Sequence, residues 1–184
     1  MGAVNKMRAE ADGAPMIERI LKAVTASAAG PIVVVTGHQP DAVKAALAGY
    51  DVTFAHNPDY AAGLSTSLRA GLDALAEDIE GAVVCLGDMP AVSAGHIDKL
   101  ITAFDVGEGR AICVPTHQGK RGNPVLWAAE LFEEMRQVAG DVGARHLIGE
   151  HAEMVCEVAV DDDAVLIDLD TPEALAAYTA RRKS

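Results

Sequence analysis

Short runs that are apolar at every residue, each followed by a polar turn and then an amphipathic helix, constrain this chain more than any other feature. Ile32 to Val35, Ala82 to Leu86 and Ala111 to Val114 have no polar side chain to turn toward water. A strand apolar on both faces has to be covered on both faces, and alternation with helices achieves that in a mostly parallel sheet. The helices read from periodicity are Pro15 to Ala28, Pro40 to Leu47, the face marked by Leu68, Leu72 and Leu75, and the face marked by Ile97, Leu100, Ile101 and Phe104. Ala128 to Val138 and a short segment at Ala144 to Gly149 follow. Further strands are expected at Val52 to Ala55, Pro124 to Trp127, Met154 to Val160 and Val165 to Ile167, and a last helix beyond Thr171-Pro172-Glu173. The expected architecture is α/β, a three-layer Rossmann-like sheet. With 184 residues, and no repeat or Gly/Ser/Pro linker to divide them, one domain over 1–184 is expected.

Charge and cysteine content narrow the function. Twenty-seven acidic against 15 basic side chains give a net charge of −12, aromatics are only 4%, and no basic stripe is present. Such a surface repels a phosphate backbone and offers no stacking platform, which argues against nucleic acid as partner. The apolar runs are too short to span a bilayer, and Met1 to Asp12 is polar and mixed in charge, unlike a signal peptide. Cys85, Cys113 and Cys156 lie far apart in apolar runs, the pattern of buried thiols in a reducing cytoplasm and not of a zinc site or disulfide framework.

Ligands of open α/β sheets gather outside the carboxyl ends of strands. Three polar turns fall there: Thr36-Gly37-His38, Gly87-Asp88-Met89-Pro90 and Asp168-Leu169-Asp170. Asp88, between a glycine that permits close approach and a stiff Met-Pro exit, is placed to hold Mg²⁺ against phosphates, or else to cap turn N–H groups. Asp168 and Asp170 either supply a second carboxylate or start the final helix as caps. Gly63 to Leu72 enters a helix through Ser65, Thr66 and Ser67, suited to receive a phosphate or a base edge, or to act as an ordinary N-cap. Arg121-Gly122-Asn123-Pro124 and Gly140-Asp141-Val142-Gly143-Ala144-Arg145 each set an arginine in a glycine-containing loop, apt for phosphate or carboxylate, or for surface ion pairing. His38 alone among the six histidines stands at a strand end beside glycine, while the other five read as loop or helix surface. No Ser-His-Asp elbow, G-x-G-x-x-G or Walker loop appears.

Taken in order, Val-Thr-Gly-His, His-Asn-Pro-Asp-Tyr with Gly-Leu-Ser-Thr-Ser-Leu, Leu-Gly-Asp-Met-Pro, Arg-Gly-Asn-Pro-Val, Gly-Asp-Val-Gly-Ala-Arg and Asp-Leu-Asp-Thr-Pro-Glu resemble the MobA-like nucleotidyltransferases, and within them the molybdenum cofactor cytidylyltransferases. The resemblance runs from Met1 to about Leu175. It implies a nucleotidyltransferase (GT-A-like) fold and cytoplasmic, Mg²⁺-dependent transfer of CMP from CTP to the terminal phosphate of molybdopterin, with pyrophosphate released. The sister family's GTP-dependent transfer is the alternative, and a non-catalytic binding or regulatory module is the rival of another class. Asp88 would hold Mg²⁺ with Asp170 or Asp168, and Lys6 would contact the nucleotide phosphates. Ser67 would read the base, with Asn57, Gly63, Ser65, Gly87, Met89 and Pro90 around the nucleotide. His38, Arg121, Gly122, Asn123, Pro124, Asp141, Gly143 and Arg145 would face the pterin, and a molybdenum enzyme or its chaperone would take the product.

One departure stands out. The family opens with a strand and a loop resembling Leu-Ala-Ala-Gly-x-Ser-x-Arg-Met-Gly that wraps the triphosphate, and Met1-Gly2 matches only its end. The first, central strand is therefore expected to be missing, through an internal methionine taken as the start, a truncated chain or a degenerate member, the first being favoured by the methionine in the pattern. A sheet without that strand leaves backbone groups and apolar surface unpaired.

Overall fold

The structure, a computed structural model, describes residues 10–11, 14–140, 143–169 and 178. A two-residue hairpin, β1 (Glu10–Ala11) and β2 (Ala14–Pro15), leads into α1 (Met16–Thr25). Met16, Ile20 and Leu21 of α1 are buried, and Glu18 and Lys22 pair one turn apart at 2.8 Å on its outer face. Next come β3 (Val33–Thr36), α2 (Pro40–Ala46, started by its proline), β4 (Thr53–His56) and α3 (Leu64–Asp73). β5 (Gly81–Val84), α4 (Ala94–Ala103), β6 (Ile112–His117), β7 (Lys120–Arg121) and β8 (Val125–Ala128) follow. The described elements end with α5 (Phe132–Gln137), α6 (Leu147–Glu150) and β9 (Val155–Ala159).

The sheet is divided. β3 and β4 pair in parallel as a two-stranded unit, whereas β5, β8, β6 and β7 lie side by side in that order, with β9 parallel to β6. β8 runs antiparallel to both β5 and β6, so the expected α/β architecture carries a mixed sheet. β6, flanked by β8 and β9, has every residue from Ile112 to Thr116 buried. The main core packs Ile112, Val114, Val125 and Trp127 against Leu72, Phe132 and Met135 of the neighbouring helices. β5 is as apolar as β6, yet all four of its residues are only partly buried.

Three local expectations need correction. Val165 to Ile167 is not a strand: Ala164–Leu166 form a 3₁₀ turn, held by Ala164 N–H donating to Asp162 Oδ1 and Leu166 N–H donating to Asp163 O, each at 2.9 Å. His96 is not on the surface; it is 7% exposed at the start of α4. Ser93 N–H donates to its Nδ1 at 3.1 Å, which fixes the ring proton on Nε2, and Nε2 faces Asp162 Oδ1 at 3.3 Å. Of the three cysteines only Cys113 is fully buried. Burial pushes the Cys113 and Cys85 thiols up to about 12, so neither is a thiolate at neutral pH. Among the described residues no helix is long and apolar enough to cross a membrane.

His151 supplies a pH-dependent contact. Its Nε2 lies 2.8 Å from Glu134 Oε2, and that hydrogen bond raises the imidazole pKa above its ordinary value, against a smaller desolvation effect. Because the folded-state pKa is the higher one, the contribution is complete below the unfolded value of about 6.5 and is lost as pH rises through the folded value. Both side chains are partly exposed, so the effect is at most about 1 kcal/mol. Thermal melts of the protein and its Glu134→Gln variant are expected to differ at pH 5.5 and to converge by pH 9.

Candidate functional site

The loops after β3 and β5 open onto one cavity of about 1680 Å³. After β3, Thr36 is buried and Gly37 lies so close to Tyr60 that an added Cβ would come within 2.5 Å of the tyrosine's own Cβ. Only glycine permits that approach. His38 is exposed beside it, with its Nδ1 3.4 Å from the Tyr60 hydroxyl and the ring centroids 6.0 Å apart.

Asn57 directly follows β4 and is 3% exposed. Its backbone N–H donates to Thr36 O at 2.8 Å, and its side-chain oxygen accepts from Asp59 N–H at 2.9 Å. Its amide nitrogen donates to Thr66 Oγ1 at 2.9 Å and Ser67 Oγ at 3.0 Å. With both amide hydrogens used inside the protein, Asn57 positions the first turn of α3. Ser67, half-buried on the cavity wall, accepts from Asn57 and keeps its hydroxyl hydrogen to donate. Ser65 is buried and lies outside the cavity lining, its N–H donating to Gly140 O at 3.1 Å. Gly63, the residue before α3, has a positive φ of 115° that a side chain would strain.

Asp88 and Gly87 stand at the cavity's polar end, after β5. Met89 and Pro90 were expected around the nucleotide, but both are buried; Met89 packs with Ile20, Val92 and Ile97 and anchors the turn from below. Leu169 N–H donates to the Asp88 backbone carbonyl at 2.9 Å. That single bond brings the Asp168-Leu169 segment against the Asp88 turn. Asp168 is exposed there, and Asp170 lies outside the described residues, as do Lys6 and Asp141. Among the described residues no three His, Cys, Asp or Glu side chains converge as a metal cage. One or two carboxylates completed by phosphate oxygens is the donor set Mg²⁺ accepts, and Asp88 on the cavity wall supplies one carboxylate of that kind.

Both arginine loops reach the same cavity. Arg121, Gly122 and Asn123 line it from one side, Gly143 and Arg145 from another. Arg121 also pairs with Glu157 at 2.7 Å across the open surface. Gly122 N–H donates to Pro115 O at 2.8 Å and Asn123 N–H to Val165 O at 2.9 Å, which pins the loop against the sheet, while Pro124 is buried outside the lining. Tyr60 was not among the expected site residues, and Thr66 was expected only as one hydroxyl of the helix entry, not as a brace. Thr66 links Asn57 to Gly63 O and Asp59 O, and Tyr60 shapes the wall over Gly37 and His38. An aromatic in a loop of a chain so poor in aromatics was the available signal for Tyr60.

The comparisons with known proteins agree with this geometry. The molybdenum cofactor cytidylyltransferase of Escherichia coli (strain K12) is 30% identical over 145 residues, 77% of this chain and 70% of that protein. A nucleotidyl transferase from Methanothermobacter thermautotroptrophicus superposes with a TM-score of 0.84 at 23% identity, over 98% of this chain and 87% of the other. A Mycobacterium tuberculosis protein solved as a complex with manganese does so with a TM-score of 0.79 at 25% identity, over 95% and 91% of the two chains. The model of the MobA-like NTP transferase domain matches residues 1–155. With the fold and the polar rim in place, the chain belongs to the MobA-like NTP transferase family and is a nucleotidyltransferase.

Proposed function

We propose that this nucleotidyltransferase moves CMP from CTP to the terminal phosphate of molybdopterin. A phosphate oxygen of molybdopterin attacks the α-phosphorus of CTP; the new P–O bond forms as the bond to the β-phosphate breaks, and pyrophosphate leaves. The observation that carries the reading is the hydrogen bond from Leu169 N–H to the Asp88 carbonyl, which brings the Asp168-Leu169 segment against the Asp88 turn, on the cavity that Ser67 and two arginines share. The 30% identity to the Escherichia coli cytidylyltransferase supplies the choice of CTP and molybdopterin.

Asp88 with Asp168 or Asp170 would hold Mg²⁺, which supplies charge neutralisation at the phosphates. The manganese complex of the mycobacterial relative supports a divalent cation here. Ser67, fixed by Asn57, donates a hydrogen bond to the cytosine edge. Arg121 and Arg145 face the anionic acceptor from opposite loops, and Lys6 adds positive charge at the nucleotide phosphates. His38 and Asn123 border the acceptor side, to which Asp141 is also assigned. The protein's contribution is chiefly positioning and electrostatic complementarity. A cytoplasmic setting, with a molybdenum enzyme or its chaperone receiving the product, follows from the same reading.

Thermal melts with Mg²⁺ and either CTP or GTP test it. A ligand at 100 times its Kd stabilises by about 2.7 kcal/mol, so CTP is expected to raise Tm by roughly 5–10 °C. A larger shift with GTP would assign the guanylyl reaction instead. No shift with either at millimolar concentration would make the protein a binding module without nucleotidyl transfer.

A further inference from the structure

Two large apolar side chains stay in solvent on the wall of the cavity, four residues apart. Tyr60 is 44% exposed and Leu64 45%, and both line the cavity; Val106, the third exposed large hydrophobic among the described residues, does not. Tyr60 is held at both ends. Its Cβ and Cγ lie over Gly37, where an added Cβ would meet them at 2.5 and 2.8 Å, and its hydroxyl lies 3.4 Å from His38 Nδ1. The backbone before it is fixed as well, since Asp59 N–H donates to Asn57 Oδ1 and Asp59 O accepts from Thr66 Oγ1 at 3.1 Å. Leu64 lies over another loop: a Cβ added to Gly143 would be 3.2 Å from Leu64 Cδ2.

Packing over Gly37 does not account for a tyrosine. Its Cβ and Cγ cover the glycine, and a leucine would supply both atoms, whereas much of the residue remains in solvent. A ring whose orientation is fixed before a ligand arrives loses little further freedom on binding. Such a ring suits a flat heteroaromatic partner, stacked with an offset, and an aliphatic neighbour extends the apolar surface. In the proposed reaction two substrates carry flat rings, the cytosine of CTP and the pterin of the acceptor. The contacts decide between them. Tyr60 touches His38, and Leu64 lies over Gly143, two residues before Arg145, so both belong to the acceptor side. The cytosine edge is instead assigned to Ser67, whose hydroxyl Asn57 orients.

We propose that Tyr60 and Leu64 form a shelf on which the acceptor's pterin ring lies, and that Tyr60 thereby determines acceptor specificity. The assignment rests on the CMP-transfer reading and deepens it. The two ends of one acceptor meet different chemistry: guanidinium groups take its phosphate, and aromatic and aliphatic surface takes its ring. A phosphate monoester without a flat ring gains only the first contact and is a poor acceptor. Loss of one ring-stacking contact is expected to weaken binding about tenfold.

The test has a binding arm and a kinetic arm. In the first, 6-hydroxymethylpterin, a fluorescent ring without phosphate, is titrated with the protein in the absence of nucleotide and metal. Tyr60→Leu, which keeps the atoms over Gly37 and removes the ring, is expected to raise the Kd about tenfold. Tyr60→Phe, which keeps the ring and loses the hydroxyl contact with His38, should stay within about threefold of the parent, and Leu64→Asn should fall between them. In the second arm, Tyr60→Leu should raise the KM for molybdopterin by a similar factor, with kcat and the KM for CTP within about twofold; a melt of each variant checks folding. The shelf is overturned by no saturable change in pterin fluorescence up to millimolar protein or by an unchanged Kd in Tyr60→Leu. It is also overturned by an equal loss in Tyr60→Phe, which would make the hydroxyl the working group, or by a rise in the KM for CTP in place of the acceptor. Pterin binding without any nucleotidyl transfer would sink the transfer reading and leave the shelf, whereas transfer with unchanged Tyr60→Leu kinetics would sink the shelf alone.

Discussion

Asp88→Ala is expected to reduce Mg²⁺-dependent nucleotidyl transfer by at least about 10³-fold, because losing a metal ligand removes several kcal/mol of charge stabilisation and each 1.36 kcal/mol is a factor of ten. The fold should survive. The tie that holds the turn is the Asp88 backbone carbonyl accepting from Leu169 N–H, which alanine retains, and the buried anchor is Met89. Asp88→Asn separates charge from shape: it keeps the side-chain volume and should lose turnover nearly as completely. Steady-state turnover with CTP, Mg²⁺ and molybdopterin, alongside a melt of each variant, reads both effects. Full activity in Asp88→Ala would remove the carboxylate from the reaction and with it the reading of the rim. Asp168→Asn and Asp170→Asn measured in the same assay assign the second carboxylate, since only the ligand should reproduce the Asp88 loss.

The order of elements was legible because burial leaves a clear pattern. Ile32 to Val35 and Ala111 to Val114 are apolar at consecutive positions, and their strands fall within three residues of the expected bounds. The periodicity of Ile97, Leu100 and Ile101 likewise marks α4. Val165 to Ile167 was misread because three apolar residues carry no period. The outcome was settled by Asp162 and Asp163 capping the turn and by Val165 O accepting from Asn123, a partner far off in sequence. His96 was misplaced for a similar reason: its role depends on the Ser93 N–H and Asp162, not on its neighbours' hydropathy.

In the site, turns at strand ends were readable as chemistry, and the cavity brings His38, Ser67, Asp88, Arg121 and Arg145 to one space. Contacts that arrange those turns were not readable. Nothing local in Asn57 announces that it holds Ser67, and nothing in Leu169 announces its bond to Asp88. Side-chain direction was also hidden. Met89, Pro90, Pro124 and Ser65 sit in the recognised motifs, yet they point into the protein and support the rim from behind.

Gly122→Ala is expected to destabilise the protein by about 3–4 kcal/mol, at the high end for a single substitution. An added Cβ would lie 2.2 Å from Val165 O and 2.8 Å from Val165 C, both backbone atoms that cannot rotate away as a side chain could. Relief requires the Gly122-Asn123 segment and the Val165 turn to separate. That separation breaks the bond from Asn123 N–H to Val165 O and strains the one from Gly122 N–H to Pro115 O. Arg121 and Asn123 border the cavity on this segment, and the Val165 turn leads into Asp168 and Leu169, so the same displacement reaches both sides of the rim. A Tm drop of roughly 6–16 °C follows for a chain of this size. Any folded fraction should show a raised KM for the acceptor phosphate and a weaker CTP-induced shift in Tm. A Tm within about 2 °C of the parent would mean that the loop yields easily, and that the pinning of Arg121 and Asn123 against Val165 is not what holds the acceptor side in place.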